Sequence, residues 1–438
     1  MGFFIFVTMN NLFALFEECN SVCTDTRKME PHCLFVCLSG DNFNGNTFAK
    51  QAIQQGPKYV IVDDPKEADD KSIFLVRNTL DFLQKLANHH RNKFDIPVIG
   101  ITGSNGKTST KELIHTVLSQ KYNTVATIGN LNNHIGVPLT LLRMKASDEV
   151  AIIEMGANKF KDIEELCQIA EPNYGIITNI GKAHLEGFGS FEGVLKTKSE
   201  LYHAVADKKG TIFYNEDDPI LKNQLPGQIQ SLSYGSDESA DIQGELLGLT
   251  PFVNMKWKFD SISSDAILTQ MIGKYNYYNF LAAICIGTHF KVPSQDISQA
   301  ISSYVPSNNR SQLHKTKDNE LILDAYNANP TSMASAIESF YMMDHPKKIA
   351  ILGDMLELGT ESEQEHKQII ELIKSKKLTC FFVGPNFNKI KQADSAKLHF
   401  SETKEDFIQQ ADKQAIKNSL ILLKGSRGIG LEDLIEKL

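Results

Sequence analysis

The sequence predicts an α/β protein of three domains, and three observations carry that prediction. Apolar, strand-like runs alternate with amphipathic helical stretches along the chain, the arrangement of mostly parallel sheets covered on both faces. A glycine-rich turn, I-G-I-T-G-S-N-G-K-T-S-T at 99–110, separates one such run from a helix. The alternation restarts near Phe94 and again after the polar stretch 306–310, which divides the 438 residues into pieces of ordinary domain size. The expected domains are a small α/β domain at 1–94, a central domain with a mostly parallel sheet at 95–310 and a further α/β domain at 311–438.

In the first domain, 11–19 reads as a short helix, 34–38 and 59–62 as strands, and 48–55 as the helix between them. A strand at 73–76 and a helix at 79–91 follow. The central domain opens with a strand at 97–102, the glycine-rich turn and a helix at 108–119. Strands at 150–154, 174–179 and 211–215 flank a helix at 161–169. The stretch 236–272 is strand-rich, polar and expected to be antiparallel, and 277–290 reads as a helix. The third domain has strands at 320–325, 348–352, 378–383, 398–400 and 419–424. Its helices are at 332–341, 361–375, 404–417 and 431–437. No internal repeat or low-complexity segment interrupts this order.

Composition bounds the function. Hydrophobic residues are 42% and charged residues 22%, which excludes a disordered chain and a fibrous repeat. The net charge of -8 argues against a nucleic-acid binder resting on a basic surface. No apolar run approaches the ~20 residues needed to span a bilayer, so no membrane insertion is expected. The apolar run 3–7 is short, lacks a basic flank and does not read as a signal peptide; Met9 is an alternative start, with 1–8 a loose leader. Seven cysteines, an odd number, point to cytosolic thiols. Cys19, Cys23, Cys33 and Cys37 have C-x3-C spacing that would suit a tetrahedral zinc site. The strand pattern at 34–36 favours small apolar packing instead.

The glycine-rich turn carries chemistry. A buried strand, a turn with Gly103 and Gly106, and a helix opened by Lys107 and Thr108 suit the phosphates of ATP or GTP. Lys107 would reach the β and γ phosphates and Thr108 would hold magnesium. The strict Walker spacing is not met, since Ile101 stands where it wants glycine. Glu154 ends one strand and His184 follows another across a short loop. Strand ends share the edge of an open sheet where ligands bind, so this carboxylate and imidazole beside a nucleotide suit a divalent metal. Lys196 and Lys198 lie on an expected helix, where a solvated face is the default.

These residues resemble the Mur ligase family of cytoplasmic peptidoglycan synthesis. The resemblance covers nearly the whole chain. Thr102, Gly103, Ser104, Asn105, Gly106, Lys107 and Thr108 match the family's ATP loop, with Ser109 beside it. N-L-N-N-H-I-G-V-P-L-T-L-L at 130–142, E-M-G-A-N at 154–158 and T-N-I-G-K-A-H-L-E-G-F-G-S at 178–190 are similar to further family motifs. So are K-T-K-S-E at 196–200, N-E-D-D at 215–218 and G-K-Y-N at 273–276. Tyr275 departs from the family's usual histidine, which weakens any polar role expected there. D-A-Y-N-A-N-P at 324–330, I-L-G-D-M-L-E-L-G at 351–359 and K-G-S-R at 424–427 resemble the branch that adds D-alanyl-D-alanine to a UDP-N-acetylmuramoyl-tripeptide. T-D-T-R at 24–27 and L-S-G-D-N-F-N-G-N-T-F at 38–48 resemble the UDP-sugar loops, with 44–48 departing from the usual Asp-Gly-His-x-Phe.

The resemblance implies a UDP-binding first domain, a P-loop ATPase domain and a Rossmann-like third domain in a cytoplasmic monomer. It implies ATP, two magnesium ions, and an acyl phosphate that the amine of D-alanyl-D-alanine attacks. Thr108 and Glu154 would hold one ion; His184 and a carbamylated Lys198 would hold the other. Asn276, Arg310 and Asp324 would meet the nucleotide. Thr26, Arg27, Asn46 and Asn133 would face the UDP-sugar peptide, and Tyr326, Asn327, Asn329 and Ser332 the cleft for the dipeptide. A ligase for another amino acid, or for folate with glutamate, is disfavoured by the 324–330 and 351–359 runs. A non-enzymatic nucleotide-binding scaffold is disfavoured by the retained Lys107, Thr108, Glu154 and His184.

Overall fold

The structure, a computed structural model, describes residues 9–40, 43–306, 310–391, 397–414 and 416–438. The expected leader, Asp41 and Asn42 of the 38–48 run, and residues 307–309 of the expected linker lie outside the described residues. The chain divides into two compact units. The smaller comprises the chain up to Gly100 with Asn123–Gly156 and Glu164–Asn173; the larger comprises Ile101–Tyr122, Ala157–Ile163 and Tyr174–Leu438.

In the smaller unit, Val22–Cys23, Leu34–Val36, Tyr59–Val62 and Ile73–Leu75 form a parallel sheet in that order. Short runs of consecutive apolar residues are what such a sheet requires, because both faces are covered. Cys23, Cys33 and Cys37 pack in its core with Phe35, Val60 and Val62. Cys19 donates to the Leu15 carbonyl and Cys23 to that of Asp25, while Cys33 lies against the Met29 sulfur and shares a hydrogen bond with Cys23.

Asn78 starts the helix Thr79–Arg91 by accepting the Asp81 N–H, and the helix buries Phe82, Leu83, Leu86 and Ala87 on one face. Its last turn holds Arg91, a cation suited to the helix C-terminus. Arg91 donates to the carbonyls of Ala170, Phe94 and Glu171. The expected helix at 48–55 is split, with a 3-10 turn Gly45–Phe48 before the α-helix Ala49–Ile53. The Asn44 side chain, by accepting the Asn46 N–H, holds the tighter turn. The strand Val150–Glu154 pairs in parallel with Thr124–Ala126, which was not anticipated.

In the larger unit, Ile242–Gly248, Gln230–Gly235, Thr211–Asn215 and Tyr174–Ile177 lie side by side in parallel. Phe252–Phe259 then pairs antiparallel with Ile242–Gly248, Ile262–Ser263 and Ile267–Ile272. The strand-rich stretch therefore starts earlier than expected, at Gln230, and joins the sheet through a parallel pair before it turns antiparallel. The helix Lys107–Leu118 packs against the buried helix Lys274–His289. The expected helix around Lys196 and Lys198 is a 17-residue element, Phe191–Asp207, started by Ser190. The helix Ser294–Ser303 was not anticipated.

A six-stranded sheet closes the chain: Gln312–Lys315, Glu320–Leu323, Leu420–Lys424, Lys348–Gly353, Thr379–Val383 and Leu398–Ser401, antiparallel only at the first pair. Its strands alternate strictly. Ile322, Ala350, Leu352, Cys380, Phe382 and Leu422 face the helices Pro330–Met342 and Ser362–Ser375. Leu321, Leu323, Ile349, Ile351, Phe381 and Leu423 face Phe407 and Leu431 on the other side. The two-residue period of a strand sorts these side chains, and each large apolar group contributes about 1.5–3 kcal/mol on burial. The last expected helix, Leu431–Lys437, is a 3-10 helix. It follows Gly430 at φ +66 and has no side-chain cap.

Candidate active site

The loop at 102–109 is built by glycine geometry. Gly103 has φ +143, and a Cβ there would lie 2.0 Å from Thr178 Oγ1. Gly106 has φ +79 at the start of the helix Lys107–Leu118, and a Cβ there would lie 2.9 Å from Asn279 Oδ1. Only glycine lets the backbone pass both points. The neighbouring strand end grips the loop. Ser104 N–H donates to the Asn179 carbonyl (2.9 Å) and Asn105 N–H to Asn179 Oδ1 (3.0 Å). Thr178 Oγ1 (2.6 Å) and Asn179 Nδ2 (2.9 Å) donate to the Asn105 carbonyl. Ser104 Oγ donates to the Gly181 carbonyl at 3.0 Å.

Lys107 folds over this loop, its Nζ 2.7 Å from the Gly103 carbonyl. Thr102, Thr108 and Ser109 are buried. Behind the loop helix, Thr110 Oγ1 donates to Asn279 Oδ1, Asn279 Nδ2 to Asn276 Oδ1, and Asn276 Nδ2 to the Ile272 carbonyl. Asn276 is thus buried with both ends of its amide engaged, which makes it a brace for the helix start. Tyr275 does have a polar role, against expectation: its hydroxyl lies 2.7 Å from Ser311 Oγ. Burial, and next to it the Asp324 carboxylate, push that phenol above its ordinary range.

The run 324–332 meets the same loop. Asn329 Nδ2 donates to Asn105 Oδ1 at 2.7 Å, and Asn329 also caps the helix Pro330–Met342 in a reciprocal pair with Ser332. Asp324 pairs with the buried Lys424 at 2.6 Å, and Lys424 also reaches the Asn327 carbonyl. The Tyr326 ring lies under two guanidinium groups, Arg310 at 3.7 Å and Arg427 at 5.7 Å. Asn327 is exposed.

His184 sits at φ +51 where the helix Leu185–Phe188 begins. Its Nδ1 is 2.5 Å from Glu357 Oε2, and this hydrogen bond holds the Glu357 carboxyl below the usual range. Lys198 is buried, its ammonium 5.8 Å above the Phe188 ring. Burial first, then the Lys107 charge, pull its pKa well below the lysine range; Asp162 and Glu200 act the other way. The solvated face expected of Lys198 is therefore not where it lies.

In the smaller unit, Glu154 is buried at the end of its strand. It accepts from Asn132 Nδ2 at 2.8 Å, and its N–H donates to Thr127 Oγ1. Asn133 holds the turn ahead of the helix Gly136–Leu141 by accepting the N–H of Ile135 and Gly136. Thr26 and Arg27 open a 3-10 turn capped by Asp25, with which the exposed Arg27 pairs at 2.8 Å. Asn46 is buried and saturated by Ser39, Asn44, Asp63 and Asp64, so it shapes a turn and does not present a free amide.

Residues 101–287 match the Mur ligase middle domain, 309–427 the Mur ligase glutamate ligase domain, and 18–91 the Mur ligase family catalytic domain. The chain belongs to the Mur ligase family. This Mur ligase is 36% identical to the UDP-N-acetylmuramoyl-tripeptide--D-alanyl-D-alanine ligase of Bacillus subtilis, over 96% of the chain and 93% of the relative. It is 32% identical to the ligase of the same name from Escherichia coli, over 96% and 93%. Its fold is that of MurF from Acinetobacter baumannii, with a TM-score of 0.88, 28% identity and 98% of each chain covered. MurF ligase from Thermotoga maritima in complex with ADP gives a TM-score of 0.84 at 26% identity, over 95% and 97% of the two chains.

Among the described residues of this Mur ligase, no helix is long and apolar enough to cross a membrane. The loop fits a nucleotide: it presents amides at a helix start, keeps side chains out of its two glycine positions and carries a lysine. In the larger unit Thr108 offers a hydroxyl oxygen of the kind magnesium takes and His184 an imidazole nitrogen, whereas Lys198 as an ammonium offers no lone pair; in the smaller unit Glu154 offers a carboxylate. Sequence reasoning missed Glu357, Lys424 and Arg427 as site residues, although all three stand in runs it had singled out. A charged residue inside a glycine-flanked strand-end run was the available signal.

Proposed function

We propose that this Mur ligase joins D-alanyl-D-alanine to a UDP-N-acetylmuramoyl-tripeptide, using ATP and releasing ADP and phosphate. The tripeptide carboxylate attacks the γ phosphate to give an acyl phosphate, which the dipeptide amine then attacks. The hydrogen bond from Asn329 to Asn105 carries the reading, because it joins the phosphate loop directly to the run where the dipeptide would lie. Two anions must approach each other, so cationic groups have to lie between them. Lys107 supplies one, and the stacked Arg310 and Arg427 offer two more. Magnesium, when bound, adds positive charge at the phosphate oxygens. Thr108 and Glu154 would hold one ion, and His184 and a carbamate on Lys198 the other. Burial disfavours a plain ammonium at Lys198, which suits that modification.

Asp324 and Arg310 serve the nucleotide, with Asn276 behind them. Tyr326, Asn327, Asn329 and Ser332 line the dipeptide side, and Thr26, Arg27 and Asn133 the UDP-sugar side. We assign the work to domains at 1–94, 95–310 and 311–438, in a cytoplasmic monomer.

ADP release by the purified protein tests this reading. Release is expected only when a UDP-muramoyl-tripeptide and D-alanyl-D-alanine are both present. Equal release with glutamate or other amino acids would sink it.

A further inference from the structure

The loop that carries His184 is fastened by the C-terminal part of the chain. Glu357 accepts from His184 Nδ1 at 2.5 Å, and Glu186 N–H reaches the Glu357 carbonyl at 3.4 Å. Two residues before His184, Lys182 pairs with the buried Glu365 at 2.7 Å. At the loop's start, a Cβ on Gly181 would lie 2.9 Å from Thr331 Oγ1. His184 and Glu357 both adopt left-handed backbone, φ +51 and φ +64, although neither is glycine. Such conformations persist where surrounding contacts over-determine them, and they cluster at functional sites.

An imidazole that binds a cation through one nitrogen is usually oriented by an acceptor on the other, which fixes both tautomer and ring plane. Glu357 takes Nδ1, so Nε2 is the nitrogen left to face a cation. Resting on the function proposed above, we propose that Glu357 is the positioning residue of His184. It is supplied by the loop that follows the strand Lys348–Gly353, so the imidazole is aimed only when that loop meets the one carrying His184. Glu357 touches neither substrate nor metal in this role.

The test uses the full chain and Mn2+ as probe, with binding followed by electron paramagnetic resonance in the presence of a non-hydrolysable ATP analogue. Glu357→Ala and Glu357→Asp both withdraw the acceptor. Aspartate tolerates left-handed backbone and keeps the charge, so it preserves the fold if alanine does not. Both should weaken one class of Mn2+ site by about 10–100-fold, the usual effect of losing such a partner. Glu357→Gln keeps an acceptor and should restore most of the binding. Metal-dependent kcat should fall with the Mn2+ affinity while KM for D-alanyl-D-alanine stays put. Unchanged Mn2+ binding in Glu357→Asp overturns the proposal, as does equal loss in Glu357→Asp and Glu357→Gln. If the wild-type protein itself binds no Mn2+ and releases no ADP, it is the underlying functional reading that fails.

Discussion

Asn329 donates its side-chain amide to Asn105 Oδ1 at 2.7 Å while its own Oδ1 accepts the Ser332 N–H. One side chain thus starts the helix Pro330–Met342 and holds the phosphate loop. The two tasks separate by mutation. Asn329→Ala loses the cap and the bridge and should cost about 1–3 kcal/mol. Asn105→Ala loses only the bridge and should cost about 1 kcal/mol. Urea unfolding of both variants and their double mutant should reveal a coupling of about 0.5–1.5 kcal/mol. Strict additivity would show that the bridge contributes nothing.

Two glycines with positive φ let space and strain be told apart. Gly129 has φ +55 and nothing within 4 Å of a built Cβ, so Gly129→Ala should cost only the left-handed backbone, about 1–2 kcal/mol. Gly103 has φ +143 and a Cβ would strike Thr178 Oγ1 at 2.0 Å. Gly103→Ala should cost about 2–4 kcal/mol, since strain and overpacking add, and should abolish nucleotide binding as well. Calorimetric titration with ADP checks the second part. Retained ADP affinity in Gly103→Ala would mean that the loop yields easily.

Much of the fold was legible because local signals agreed. Thr79–Arg91 begins after Asn78, a capping residue, and buries positions spaced as a helix requires. Val150–Glu154 and Thr211–Asn215 are short apolar runs between polar turns, so their limits coincide with the expected ones. Leu431–Lys437 misled because seven residues of helical composition follow an uncapped glycine, and composition does not distinguish a 3-10 from an α turn. The site was legible where a motif needs backbone geometry, as at Gly103 and Gly106. It was illegible where distant residues meet. Nothing local in the sequence says that Glu357 reaches His184 or that Asn276 turns its amide toward Ile272.

The Asp324–Lys424 pair should respond asymmetrically. The Lys424 side chain is 2% exposed and that of Asp324 17%. Asp324→Asn strands a buried cation and should cost about 3–5 kcal/mol. Lys424→Met strands a carboxylate that water still reaches, and should cost about 1–2 kcal/mol. Denaturant midpoints of the two variants give the comparison. The reverse order would mean that the Asn327 carbonyl, which Lys424 already reaches at 3.3 Å, satisfies the lysine when the aspartate is lost.

Stability should fall as the solution is acidified below neutral, and histidines that are partly or wholly buried are the reason. Burial holds His90, His289 and His366 below the ordinary histidine range. A lowered folded-state pKa means that the unfolded chain takes up protons first, as pH drops through its own value of about 6.5. Each histidine then removes at most about 1.4 kcal/mol per pH unit until the folded form protonates too. His366 is a mixed case, because Asp354 beside it is shifted up by burial and titrates with the opposite sign. His289 is cleaner. Its ring lies among Tyr174, Phe213 and Phe290, at 5.4, 5.2 and 5.3 Å. Phenylalanine can keep those ring contacts without titrating. His289→Phe should therefore flatten the slope of unfolding free energy just below about pH 6.5 while leaving stability near pH 8 within about 1 kcal/mol of wild type. An unchanged slope would show that the His289 ring opens to water and protonates before the chain unfolds.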